Sequence, residues 1–453
     1  SSEAPKDPVK LVLWNRIQKD LFDHVVPAFQ EKYPHITVEV VNLPEAGQDV
    51  AQYQAAVSSN ELPDIFVRPT GYTIAQLVEL DKVHELDEVF PKDTFGQFTP
   101  GTFAEGYGSV NGKVYQFPLY SSLHGSLMMY YNKKVLNQLG IDESEIPRKW
   151  DDFIAFGKKV YEKSGGKVYS LVFGAKTNYM STFLVNQMSP PISPKTGFDY
   201  SAGQYNFHTP GMIETMEFLK KAYDEKVLHP STIDADTGKG YSLFKSGEVV
   251  AVVGGNWSSN SLITDEKGGA AITYDDFGVA PIPSKDGGDT YQYFEGGSGE
   301  SLSVAKNTKH WPEVKLFLEF MNERIYGDIV RAGGTLPSKM IDIAAEKPTF
   351  PQYETISGIM QKSKMLTPSM YQKNPSAAEV MAKYSGYAPR DNVGSIFLAY
   401  LSGQIKDLPK TLQKLSEDNN TALTRAINDS NGKVKPEDFV FPDWTPGQPY
   451  QPQ

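Results

Sequence analysis

Hydrophobic positions in residues 9–14, Val-Lys-Leu-Val-Leu-Trp, predict a first strand, and apolar side chains then recur at 21, 22, 25, 26 and 29, the spacing of one helical face. A second strand over 36–41 follows Tyr33-Pro34 and completes a β-α-β unit. A helix over 53–59, a strand in Leu62-Pro-Asp-Ile-Phe-Val67 and a helix over 74–79 continue the alternation, that of an α/β protein with parallel strands. Asn111-Gly112-Lys113 predicts a type I′ hairpin turn. Residues 119–123 read as a crossover into a second lobe, which opens with a strand over 127–131 and a helix over 133–139 ended by Gly140. The next helix follows Pro147, with Asp151 as its N-cap and Phe153, Phe156 and Val160 facing inward. Asp151 and Asp152 are thereby read as capping groups and not as an acid/base pair.

Val249-Val-Ala-Val-Val253 is apolar and mostly β-branched without alternation, the pattern of a strand covered on both faces. Gly254 and Gly255 then release the backbone, and Trp257 follows at the strand's carboxyl end, where ligands sit in open α/β sheets. Trp257 is therefore either a ligand platform or a cap on the core. Residues 277–283 read as a strand leaving the second lobe, residues 291–304 as a return to the first, and Arg331-Ala-Gly-Gly-Thr-Leu-Pro337 as a third crossing. Several crossovers permit hinge bending with both lobes folded. The expected division is 1–121 with 278–329 for an N-terminal lobe and 122–277 with 330–453 for a C-terminal lobe. The tail from Pro442 reads as a Pro-rich wrap-up segment.

A length of 453 residues agrees with two large lobes, and the net charge of −11 with dispersed basic residues argues against nucleic acid as a partner. The absence of cysteine excludes disulfides and thiolate chemistry and suits an exported bacterial protein. The polar, Pro-containing start Ser1-Ser-Glu-Ala-Pro-Lys-Asp-Pro8 reads as processed or truncated, either the tether of a lipoprotein or an arbitrary boundary. No phosphate-binding loop, dinucleotide fingerprint or zinc-protease motif occurs. Gly297-Ser298-Gly299 falls short of a nucleophile elbow because Glu300 stands where glycine is needed. The seven histidines have no ligand spacing, so neither a metal nor a cofactor is expected. A glycosidase pair of distant carboxylates stays open from residues alone.

Seven segments, in order, resemble the extracellular solute-binding proteins of bacterial carbohydrate ABC importers, the family 1 group that includes maltose-binding protein. They are Leu62-Pro-Asp-Ile-Phe, Gly112-Lys-Val-Tyr-Gln-Phe-Pro118, Met129-Tyr-Tyr-Asn-Lys133, Arg148-Lys-Trp-Asp-Asp-Phe153, the stretch from Phe244 to Trp257, Phe277-Gly-Val-Ala-Pro-Ile-Pro283 and Gly334-Thr-Leu-Pro337. The resemblance implies a type II, two-lobed periplasmic-binding-protein fold with an extended C-terminal lobe and hinge crossovers. It further implies a non-enzymatic, monomeric receptor that closes on a short oligosaccharide and hands it to membrane permease subunits. Such a receptor is expected at the outer face of the membrane as a lipoprotein, or in the periplasm. The alternatives are a glycoside hydrolase and a peptide-binding receptor.

The composition suits a sugar ligand, since 24 Phe, 25 Tyr and 5 Trp supply flat apolar faces, many with a polar edge. By resemblance, Trp257 is the stacking residue and Asn256 beside it a hydrogen-bonding one. Arg68, Thr70 and Tyr72 lie on a loop that reaches sugar in the family, with Asp64 bracing the turn, and Asn15 and Arg16 mark the cleft edge. Tyr120 and His124 replace a family carboxylate region, His124 being either a ligand contact or a packed histidine. Arg390 and Asp391 fall where the family has an aromatic contact, and are either a bidentate hydroxyl binder or a surface salt bridge. Glu295, Gly296 and Gly297 are either ligand-facing or a hinge turn.

Overall fold

The computed structural model describes residues 6–44, 49–189, 197–263, 272–348 and 350–451. Two compact units emerge, one from the described residues of Ser1–His124, Glu295–Thr349 and Ser369–Ala382, the other from those of Gly125–Phe294, Phe350–Pro368 and Lys383–Gln453.

The first unit is built on a five-stranded sheet in the order Ile36–Asn42, Val9–Asn15, Ile65–Val67, Glu300–Val304 and Phe117–Tyr120. The first three strands are parallel, and Glu300–Val304 runs antiparallel to both its neighbours. On one face Leu11, Leu13, Ile65, Phe117 and Leu302 pack with Phe29 and Phe317 of the covering helices. Tyr53, Phe66 and Leu77 form the smaller core with Trp14. Both cores follow from the period-2 placement of side chains on a strand, which sends neighbours such as Ile65 and Phe66 to opposite faces.

The second unit centres on the sheet Phe277–Ala280, Leu127–Asn132, Val249–Gly255 and Tyr169–Val172. All seven residues of Val249–Gly255 are buried, as the unbroken apolar run predicts. The strand lies antiparallel to Leu127–Asn132 and parallel to Tyr169–Val172. The segment after Phe439 is fastened to this unit. The Phe441 amide donates to the Tyr200 carbonyl, that of Gly447 to the Tyr293 hydroxyl at 2.7 Å, and that of Tyr450 to the Leu366 carbonyl at 2.8 Å.

Several sequence expectations hold in detail. The helices Ile74–Glu79 and Lys133–Leu139 have the expected bounds. Asn111 and Gly112, at φ 53° and 75°, make the hairpin turn between Ser109–Val110 and Lys113–Val114.

Two expectations need correction. The helix Trp150–Lys163 has Lys149 at its N-cap, with Asp151 and Asp152 inside the first turn, because Trp150 fixes the entry. Its amide donates to the Ser284 carbonyl at 3.0 Å and its indole nitrogen to the Pro283 carbonyl at 3.2 Å. The return to the first unit comes at Glu295 and not at 278. Phe277–Ala280 stays paired with Leu127–Asn132, and Gln292–Phe294 pairs with Lys364–Leu366. The first unit also extends past 329, since the Ser121 amide donates to the Leu336 carbonyl and the Ser338 amide to the Leu119 carbonyl.

Candidate functional site

In the first unit the candidate residues gather around the carboxyl end of Val9–Asn15. Asn15 is fully buried. Its side-chain amide donates to the Gln18 carbonyl at 2.9 Å and to Asn42 Oδ1 at 3.1 Å, while its Oδ1 accepts from the Ile17 amide. It braces the loop. Arg16, 4% exposed, is held on every side. Its Nη1 and Nη2 donate to the two carboxylate oxygens of Glu300 at 3.3 and 2.8 Å, and its Nε donates to the Arg68 carbonyl at 2.8 Å. Asp49 Oδ2 lies 3.5 Å from that Nε.

Arg68 is the most exposed member of this cluster, its side chain 36% exposed and its Nη2 3.9 Å from Glu300 Oε2. Two guanidinium groups thus face two carboxylates. Burial pushes the phenols of Tyr53 and Tyr120 well above the usual tyrosine range, so both are neutral hydrogen-bonding groups at ordinary pH. Thr70 and Tyr72 are half-buried on either side of Gly71, at φ 89°, and Tyr72 leans on the smaller core.

Tyr120 is buried, with its ring 5.4 Å from that of half-buried His124, whose Nδ1 sits 2.9 Å from the Thr335 hydroxyl. That is the packed-histidine geometry. Glu295 accepts from the Met370 amide at 2.9 Å. Gly296 and Gly297 take φ 115° and 85°. A Cβ on Gly296 would come within 2.5 Å of the Gly101 carbonyl oxygen, and one on Gly297 within 3.0 Å of Tyr107. The glycines are therefore needed for close approach to the unit's own 101–107 loop.

In the second unit, Trp257 is half-buried and its indole folds back over the strand end. A Cβ on Gly255 would lie 2.2 Å from the ring, so glycine there is a condition of the indole's position. Ser258 locks the turn by accepting from the Gly255 amide at 2.9 Å and by sharing a hydrogen bond with the Tyr241 hydroxyl at 2.6 Å. Tyr179, on the helix Asn178–Met188, has its ring centroid 6.4 Å from that of Trp257. Phe183, one turn along, meets Tyr179 edge-on at 5.8 Å. Tyr179 is 41% exposed, so this aromatic surface is open to solvent.

Asn256 is fully buried, and its Oδ1 accepts from the Gly125 amide at 3.0 Å. It anchors the backbone beneath Trp257 and does not face solvent, against expectation. Arg390 and Asp391 are both exposed. Asp391 Oδ1 accepts from the Ser395 hydroxyl at 3.2 Å, and the pair makes no salt bridge among the described residues. Asn392 next to them caps Val393–Leu401 and exchanges side-chain hydrogen bonds of 3.0 and 3.1 Å with Asn178, at the start of the helix that carries Tyr179.

Sequence reasoning missed Tyr179, Phe183, Asp49 and the pairing of Glu300 with Arg16 and Arg68. The i, i+4 pair of rings at 179 and 183 was a usable signal. Glu300 gave none, because its partner Arg16 is 284 positions away. No group of three His, Asp or Glu side chains among the described residues could hold a metal ion.

Residues 16–324 match the family described as bacterial extracellular solute-binding protein. The sn-glycerol-3-phosphate-binding periplasmic protein UgpB of Rhizobium meliloti is 22% identical over 424 residues, covering 90% of this chain and 86% of that protein. The maltodextrin-binding protein MdxE of Bacillus subtilis is 26% identical over 215 residues, 47% of this chain and 46% of that one, less than half its length. Among solved structures, the maltose/maltodextrin-binding domain MalE from Bdellovibrio bacteriovorus, bound to maltotriose, aligns with a TM-score of 0.63 at 19% identity, covering 93% of this chain and all of that one. This likeness shows the fold, and the expected periplasmic-binding-protein class is borne out.

Proposed function

Because the chain belongs to the family of bacterial extracellular solute-binding proteins, we propose that it is the receptor of an ABC importer and that its ligand is a short neutral oligosaccharide. Members of the family bind and do not transform their solute, so the hydrolase alternative falls away. The observation that carries the sugar reading is the open aromatic surface of Trp257, Tyr179 and Phe183, which offers flat apolar faces to pyranose rings. Taken by itself, the first unit carries a charged donor, Arg68, next to a charged acceptor, Glu300, a pairing suited to hydroxyl groups. The maltodextrin-binding name of one relative agrees with this reading. We place the protein outside the cytoplasm as a monomer, tethered as a lipoprotein or free in the periplasm, in partnership with permease subunits and with no nucleic acid.

Isothermal titration calorimetry against di- to tetrasaccharides, with the mixtures then chromatographed, tests the proposal. Binding with every ligand recovered intact is expected. Trp257→Ala should weaken the best ligand by about 2 kcal/mol, the scale of an aromatic anchor. Cleaved ligand, or silence across the panel together with binding of peptides, would overturn the reading.

A further inference from the structure

The charge cluster of the first unit has a property that a merely structural ion pair does not require. Arg16 is engaged by two bonds to Glu300 and one to the Arg68 carbonyl, with Asp49 close by, yet the cluster is not sealed: Glu300 is 15% exposed and Arg68 36%. Its two positive charges are matched by two negative ones. Asp20 adds further negative potential toward Tyr120, as Glu300 does. An anionic ligand reaching Arg68 therefore meets a carboxylate in hydrogen-bond contact with the guanidinium beneath, and finds no uncompensated positive charge. A hydroxyl-rich neutral ligand meets a charged donor and a charged acceptor side by side, and can use both.

We propose that Glu300 is the charge-selectivity residue of this receptor: together with Asp49 it balances Arg16 and Arg68, and as the carboxylate beside Arg68 it admits uncharged polyols and rejects organophosphates. The inference rests on the reading of this surface as a ligand wall, and it separates the chain from its glycerol-phosphate-binding relative, whose ligand is an anion. Like-charge juxtaposition is an effective way to reject a wrong partner, and here it costs the right one nothing.

The test is calorimetry on the full chain with sn-glycerol 3-phosphate as the anionic probe and the saccharide panel as the neutral one. Wild type should bind no glycerol phosphate at millimolar concentration. Glu300→Gln should gain affinity for it by at least about tenfold, and the gain should shrink as salt rises and vanish when Arg68→Gln is added. A loss of structural support alone would not create that affinity. A folded Glu300→Gln protein with no gain, or a wild type that binds glycerol phosphate as well as any saccharide, overturns the inference. Should Glu300→Gln not fold, Asp49→Asn removes the other carboxylate and leaves the bidentate pair, and a smaller gain in the same direction is required of it. A wild type silent to all saccharides while Glu300→Gln gains the phosphate would remove the oligosaccharide reading and leave this one standing.

Discussion

The two units present opposite kinds of surface. That of the second is aromatic and assembled locally: Trp257 lies over Gly255 two residues away, and Tyr179 meets Phe183 one helical turn along. That of the first is ionic and assembled at long range, from strand ends and a helix start that bring Arg16, Asp49, Arg68 and Glu300 together. The aromatic surface can lose a ring and keep its frame, because the turn beneath is held by Ser258 and Asn256. The ionic one cannot lose Arg16 without leaving Asp49 and Glu300 uncompensated.

That contrast is sharpest in stability. Arg16→Ala should destabilise the protein by about 3–5 kcal/mol, since it strands Asp49 and Glu300, and denaturant unfolding would show it. A loss under ~1 kcal/mol would mean that the cluster is no more than a surface pair. Next in size, Gly255→Ala should cost about 1–3 kcal/mol of stability by overpacking. Because the indole must move, it should also weaken sugar binding as much as Trp257→Ala does; unchanged affinity would detach Trp257 from the ligand. Asn392→Ala removes a helix cap and should lower stability by ~1 kcal/mol in thermal unfolding. Smallest of all, Arg390→Ala should change stability by no more than about 0.5 kcal/mol, as is usual at exposed positions. A larger loss there would show that Arg390 makes a bond the fold depends on.

The same distinction explains what could be read from the chain. Val249–Gly255 was legible because burial on both faces leaves an unbroken apolar run, and the Asn111-Gly112 turn because two consecutive positive φ values demand such residues. The local geometry of the candidate site was legible only where neighbours are close in sequence, as at Gly255 and Trp257. Asn256 looked like an exposed hydrogen-bonding group because nothing local signals that its carbonyl is spent on Gly125. Gly296 and Gly297 were rightly marked as special, but the close neighbour proved to be the chain itself. Glu300 drew notice only for spoiling a motif. The lobe boundary was misplaced at 278 because a strand's partner is not written in the strand, and Phe277–Ala280 pairs backward to Leu127–Asn132.

The fastening of residues 441–450 to Tyr200, Tyr293 and Leu366 bears on the order in which the molecule can be made. During synthesis the first unit cannot close its sheet until Glu300–Val304 has emerged, by which time most of the second unit's strands are already out. The second unit in turn waits for Trp444, which packs edge-on against Tyr200 and Tyr293. Neither unit can be finished while the chain is growing through its first half. Completion is postponed until residues 441–450 have emerged, so a nascent chain of this sequence stays open far longer than one whose domains follow each other in turn.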